Sequence, residues 1–237
     1  SSYETRLWFV VFFIPIIPLG RKQIVDYCPH CTYHYAVSVD EWQKMGREAM
    51  QESMNEMGQK PDDPEAAMKL HQSTWSFGSR EDAGELARYM EERFGDNVDV
   101  LLYLAGWYDA TSQPEEANRV CERALAVEPQ NPIVRRSVAI GRIEQGKLDE
   151  ARELLTCMKE EGPHQEPGAL FLLARAYQDA GQHEQAYEVF QWICELFPEV
   201  ARREKEFRKA VRQTEKVLVQ EETILPKPQL SLWKGAA

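Results

Sequence analysis

Prolines at 129, 163 and 198 close three successive stretches in which one order of residue types returns at a period of about 34. The first stretch, 98–131, carries Leu101, Leu104, Ala105 and Tyr108, then Ala117, Cys121 and Ala124. The second, 132–165, carries Val138 and Ala139, then Gly146, then Ala151, Leu155 and Met158. The third, 167–200, carries Leu170, Leu173, Ala174 and Tyr177, then Gly181, then Ala186, Phe190 and Ile193. Within each stretch the apolar residues recur at helical spacing in two runs of about a dozen residues, split by a turn. A pair of helices of this size cannot bury its own apolar face, so a chain built this way must stack hairpin on hairpin. The expected fold class is mainly α, an α-solenoid.

The residue types fit that reading one by one. Small Ala105, Ala139 and Ala174 on the first helix, and Ala117, Ala151 and Ala186 on the second, let the two helices of a hairpin approach closely. Gly146 and Gly181 supply the left-handed backbone that a short inter-helix turn needs, a conformation costing other residues about 1 kcal/mol or more. Ser112 holds the same place in the first unit. The prolines end each second helix and suit the first turn of the next, where a missing N–H is harmless.

These residues resemble the tetratricopeptide repeat (TPR) family over 98–200. The pattern departs where Arg135 takes the usual first bulky place and Arg142 the tyrosine place, which leaves the middle hairpin less tightly packed. A fainter unit, 64–97, fits the same register with Ala67, Leu70, Gly78, Ala83, Ala87 and Met90, but lacks the tyrosine and the closing proline. The resemblance implies a groove lined by the first helix of each hairpin. Carried over, its positions are Asp99, Leu102, Gly106 and Asp109, then Ile133, Arg136, Ile140 and Ile143, then Gly168, Phe171, Arg175 and Gln178. Ile140, Ile143 and Phe171 make its middle apolar, and Arg136 and Arg175 can bind carboxylates bidentately, which suits a partner segment with acidic and aliphatic residues. The alternative role for the two arginines is pairing with acids such as Asp109 and Asp179. The Lys and Asn set by which some family members hold a peptide terminus is not matched.

The flanking regions differ in composition. Residues 40–63 read as a polar, Met-rich linker helix with Asp40 at its N-cap, ending at the Pro61-Asp62-Asp63-Pro64 boundary. Residues 199–222 read as a charged capping helix, its interspersed glutamates giving a solvated face in place of a basic patch, and 223–237 as an extended tail. The first 39 residues are β-branched and aromatic and read as a small β module of two short strands and a knuckle. Cys28-Pro29-His30-Cys31 has the spacing of one knuckle of a tetrahedral zinc site. With the preceding run RLWFVVFFIPIIPLGRKQIVDY, the pair resembles the second half of a bacterial zinc-ribbon family. That resemblance implies a partner pair upstream of Ser1, so that Cys28 and Cys31 hold structural zinc only where such ligands exist. Thr32 stands where the family has glycine. A module this small cannot bury Trp8, Phe9, Phe12 and their neighbours alone. They face the chain's own helices, another protein or a membrane surface.

Bulk properties close off other functions. A formal net charge of -11 disfavours phosphate backbones, hence nucleic acid. The apolar run at Leu7–Leu19 is shorter than the about 17 residues a spanning helix needs and is broken by Pro15 and Pro18. Five cysteines with one tight pair suit a reducing, cytoplasmic setting, including the inner face of a membrane-bound assembly. Phosphate-loop, HExxH and GxSxG patterns do not occur, so the chain is expected to be no enzyme. The expected function is a protein-interaction adaptor or scaffold, with a permanently buried subunit of a large assembly as the alternative.

Overall fold

The computed structural model describes residues 3–11, 14–25, 34–161, 167–219 and 223–225. The chain divides into two compact units at Gly95 and Asp96, so the fainter unit groups with the N-terminal elements. In the first unit, β1 (Tyr3–Val11), β2 (Ile14–Val25) and β3 (Tyr35–Ser38) form an antiparallel sheet in that order. This is three strands where the sequence suggested two short ones. Pro15 and Pro18 sit inside β2, and the ladder shifts register beside them, between Leu7 and Trp8 and between Phe9 and Val10. A proline gives the ladder no N–H, and a bulge absorbs the missing bond without ending the strand. The connection between β2 and β3, with Cys28 and Cys31, lies outside the described residues, as does Phe12. Trp8 and Phe9 lie on β1.

Helix α1 (Val39–Gln59) starts from Ser38, not Asp40. Ser38 Oγ accepts from the Glu41 N–H at 3.2 Å, and the Ser38 N–H donates back to Glu41 Oε2 at 3.2 Å. This reciprocal capping box satisfies two backbone donors where a lone Asp40 cap would satisfy one. The bonds to Ser38 also hold the Glu41 carboxyl below its ordinary value. Helix α1 packs on α2 (Pro64–Phe77), which turns into α3 (Arg80–Arg93). Gly46 allows that contact, because a Cβ there would come within 2.8 Å of Phe77 Cδ1. His71 of α2 is wholly buried, with Ala66, Ala67, Ala83, Ala87 and Met90 among the other buried residues of this hairpin.

The second unit holds the repeats: α4 (Val98–Ala110) with α5 (Pro114–Val127), α6 (Pro132–Glu144) with α7 (Leu148–Leu154) and α8 (Met158–Glu161), and α9 (Gly168–Asp179) with α10 (His183–Leu196). All six alanines assigned to close packing are buried. The turns carry positive φ at Ser112 (61°), Gly146 (74°) and Gly181 (74°), as the sequence requires. Gly78, at the matching place in the fainter unit, has φ -96°, and Ser79 caps α3 instead. Ser112 is the one non-glycine in this conformation among the three turns. Ser112→Gly is therefore expected to raise stability by about 0.5 to 1 kcal/mol, read as a higher urea midpoint at unchanged slope; a lower midpoint would refute the account.

The arginines of the middle hairpin hold it differently from its neighbours. Arg142, in the tyrosine place, reaches Glu122 on α5 at 2.5 Å and Glu150 on α7 at 2.9 Å. In the third hairpin the Tyr177 hydroxyl donates instead to Asp149 on α7 at 2.8 Å. The second helix of the middle hairpin breaks into a 3-10 turn at Leu155–Cys157, and Arg135 donates to the Glu153 carbonyl there at 3.1 Å. A guanidinium thus covers a carbonyl at the break.

The array ends in α11 (Pro198–Arg203) and α12 (Lys205–Val217), which packs on α9 and α10. Phe207 meets Phe190 edge-on at 5.6 Å and Phe171 at 6.0 Å between ring centres. After α12 the chain turns through Val219, at φ 55°, and residues 223–225 come back onto the array. Buried Glu215 accepts from Thr223 Oγ1 at 2.8 Å and from the Ile224 N–H at 2.9 Å, and Leu225 joins the core.

Candidate partner-binding face

The first helices of the hairpins stand side by side, α6 between α4 and α9, with α12 next beyond α9. Asn97 caps α4 through the Val100 N–H at 3.0 Å, and Asn131 caps α6 through the Ile133 N–H at 3.0 Å. These caps, with Pro132 at the start of α6, fix where each helix begins and so which residues share a face.

On α6, Val134, Val138, Ala139 and Gly141 turn inward, while Ile133 is 52% and Ile140 38% exposed. Arg136 is half-buried and lies between them at helical spacing. On α4, Asp99, Gly106 and Asp109 are exposed and Leu102 is half-buried. On α9, Gly168 is exposed, and Phe171 and Arg175 are half-buried. The Arg175 guanidinium donates to Gln178 Oε1 at 3.0 Å, which fixes its direction. Gln178 is itself buried, donating to the Ala210 carbonyl at 2.9 Å and to Thr214 Oγ1 on α12.

Four groups packed in these hairpins, Tyr103, Cys121, Tyr177 and Cys194, are shifted toward their neutral forms. Burial, with the Asp109 and Glu122 charges, pushes the Cys121 thiol up to about 11. Burial does the same for Cys194, also to about 11, and moves Tyr103 to about 12. Burial and its bond to Asp149 raise Tyr177 further. Such groups are packing elements, since an activated thiol or phenol needs its anion stabilised. Among the described residues no cluster of three or more His, Cys, Asp or Glu could hold a metal ion, and no helix is long and apolar enough to cross a membrane.

Comparison with family models matches residues 168–199 to the tetratricopeptide repeat. The fold is a TPR-like solenoid. No curated protein matches in sequence. Solved structures share the architecture at low identity. YrrB, a TPR protein described as having an unusual peptide-binding site, aligns with a TM-score of 0.54 and 15% identity over 73% of this chain and 86% of its own. PilF of Pseudomonas aeruginosa aligns at 0.53 with 16% identity, over 76% of this chain and 84% of its own. MamA aligns at 0.50 with 16% identity, over 79% and 92%. These likenesses establish the architecture alone. These likenesses do not show the zinc-ribbon resemblance.

Within the TPR-like array two groove positions carried over from the family are not open. Ile143 is 7% exposed and packs in the core cluster of the third hairpin, and Gln178 is covered by α12. Phe171 is partly covered too, by Phe190 and Phe207. Each lies where the next element overlaps the helix, a neighbour that the helix's own period does not reveal. Leu172, 41% exposed, is an apolar residue the carry-over did not select. Its exposure follows from its place one residue past Phe171, on the flank away from the aromatic cluster.

Proposed function

We propose that the protein is a non-catalytic interaction adaptor whose face of α4, α6 and α9 receives a segment of another protein. The observation that carries this reading is the trio Ile133, Arg136 and Ile140 on one face of α6. Two aliphatic side chains flank a guanidinium on a helix whose other apolar residues are buried. Arg175, aimed by Gln178, adds a second cation on α9. An occupant with aliphatic anchors and a carboxylate complements the two isoleucines and the positive charges, which is the helix-in-groove or extended-segment mode of recognition. The fold supports the reading, since stacked hairpins present long continuous surfaces.

The test uses the full chain as bait for proteins of its own source, with Ile140→Asp and the double replacement Arg136→Ala, Arg175→Ala beside wild type. Both variants are expected to lose about tenfold or more of a specifically retained protein, because each hot-spot residue of an interface is worth 2 kcal/mol or more. Val127→Asp, exposed on α5 and outside this face, is the control. Equal recovery by all four proteins, with helical content intact by circular dichroism, would remove this face from the function.

A further inference from the structure

The terminal helix α12 is basic on its outer side. Lys205, Lys209, Arg212 and Lys216 follow one another at helical spacing and are all exposed. Over the helical rise they form a single row about 16 Å long. Opposite them Phe207, Ala210, Val211 and Thr214 are buried in the array. The helix's two acids do not balance the row. Glu215 is turned inward and engaged by Thr223 and Ile224, and Glu206 stands a quarter-turn away from the row. Among the described residues none of the four cations is within ion-pair distance of a carboxylate, whereas Arg202 and Arg203 of α11 both pair with Glu199. A merely solvated helix gains from opposite charges four residues apart. Here Lys205 with Lys209, and Arg212 with Lys216, repel.

At the C-terminal end of α12, Val217 is 52% exposed about a quarter-turn from the row, on the flank of Glu206, and Val219, just beyond the helix at φ 55°, is 83% exposed. We infer that this side of α12 docks on an anionic membrane surface, the row lying over acidic headgroups and the two valines entering the boundary of the acyl layer. Three of the four cations are lysines, strongly hydrated point charges without the fork that matches one carboxylate geometrically, and that chemistry suits a diffuse sheet of anionic headgroups better than a defined acidic peptide. The row is a local feature of a chain whose net charge is -11, and screening over about 8 Å lets it act apart from the acids elsewhere.

Sedimentation of the full chain with lipid vesicles tests this. One set is phosphatidylcholine alone and the other has about a third phosphatidylserine. Wild type is expected to sediment with the anionic vesicles only, and added salt to release it. Replacing Lys205, Lys209, Arg212 and Lys216 by Gln is expected to lower the partition coefficient at least about a hundredfold, since each surface cation contributes about a factor of five. Val217→Ser with Val219→Ser is expected to lower it less, about tenfold. Wild type left in the supernatant, equal binding to both vesicle types, or a glutamine variant that still sediments would each overturn the inference. Binding of a polyglutamate peptide in place of the vesicles would overturn it in favour of an acidic protein partner.

Discussion

Phe207→Ala is expected to lower the thermal midpoint of the repeat unit by about 10 °C or more. Phe207 is 3% exposed and closes a three-ring cluster with Phe190 and Phe171, the rings meeting at tilted or edge-on angles. Truncating a buried phenylalanine costs about 3 to 5 kcal/mol through lost transfer energy and the cavity left behind. The favourable ring geometry adds about 1 kcal/mol. For a unit of this size each kcal/mol moves the midpoint by about 2 to 4 °C. The effect also has a location. Phe207 ties α12 to α9 and α10, so amide exchange in α12 should quicken before that in α4 and α5. A drop no larger than that of Val217→Ala, at an exposed site, would mean α12 is not part of the packed core.

The second large effect is a loss of stability on mild acidification. His71 lies wholly buried between α2 and α3, and that burial pulls its imidazole down to about 4 against a backbone bond to Ala83 that acts the other way. The ordinary value of 6.5 applies in the unfolded chain. Between those values the unfolded chain takes up a proton that the folded one refuses. Stability is therefore fully present above about pH 6.5, falls as pH drops through that window, and levels off below about 4. The loss amounts to about 2 kcal/mol by pH 5 and about 3 kcal/mol at pH 4. Urea unfolding at pH 7.5 and pH 5, followed by circular dichroism, measures it, with His71→Gln as the comparison. The variant should lack this part of the pH response, while most carboxylates remain ionised at pH 5. An identical pH response in both proteins would show that His71 is protonated without cost.

Both effects depend on features the sequence disclosed unequally. The repeat was legible because its signals are local. A glycine at a turn, an alanine at a crossing and a proline at a helix start are each selected by the backbone at that point, and Gly146, Gly181 and the six alanines lie where those demands put them. The N-cap of α1 lies two residues before the expected Asp40, because Asp40 and Ser38 are both good caps and only the return bond to Glu41 decides between them. The third strand was missed because its four residues pair with β2 across a long connection. The groove was harder still. Ile143 and Gln178 have the period of surface residues, yet a core cluster covers one and α12 the other. His71 carried no signal at all beyond one histidine on a helix.

The clasp at Glu215 bears on how the chain matures during synthesis. Its partners Thr223 and Ile224, and the apolar Leu225 beside them, leave the ribosome after every helix of the array. Until they arrive, Glu215 lacks the two donors that hold it when buried, which opposes docking of α12. The N-terminal hairpins can stack as they emerge, but the last seam is sealed only when the chain doubles back past Val219. A nascent chain from which Thr223, Ile224 and Leu225 have yet to emerge would be complete in its hairpins and open at one end.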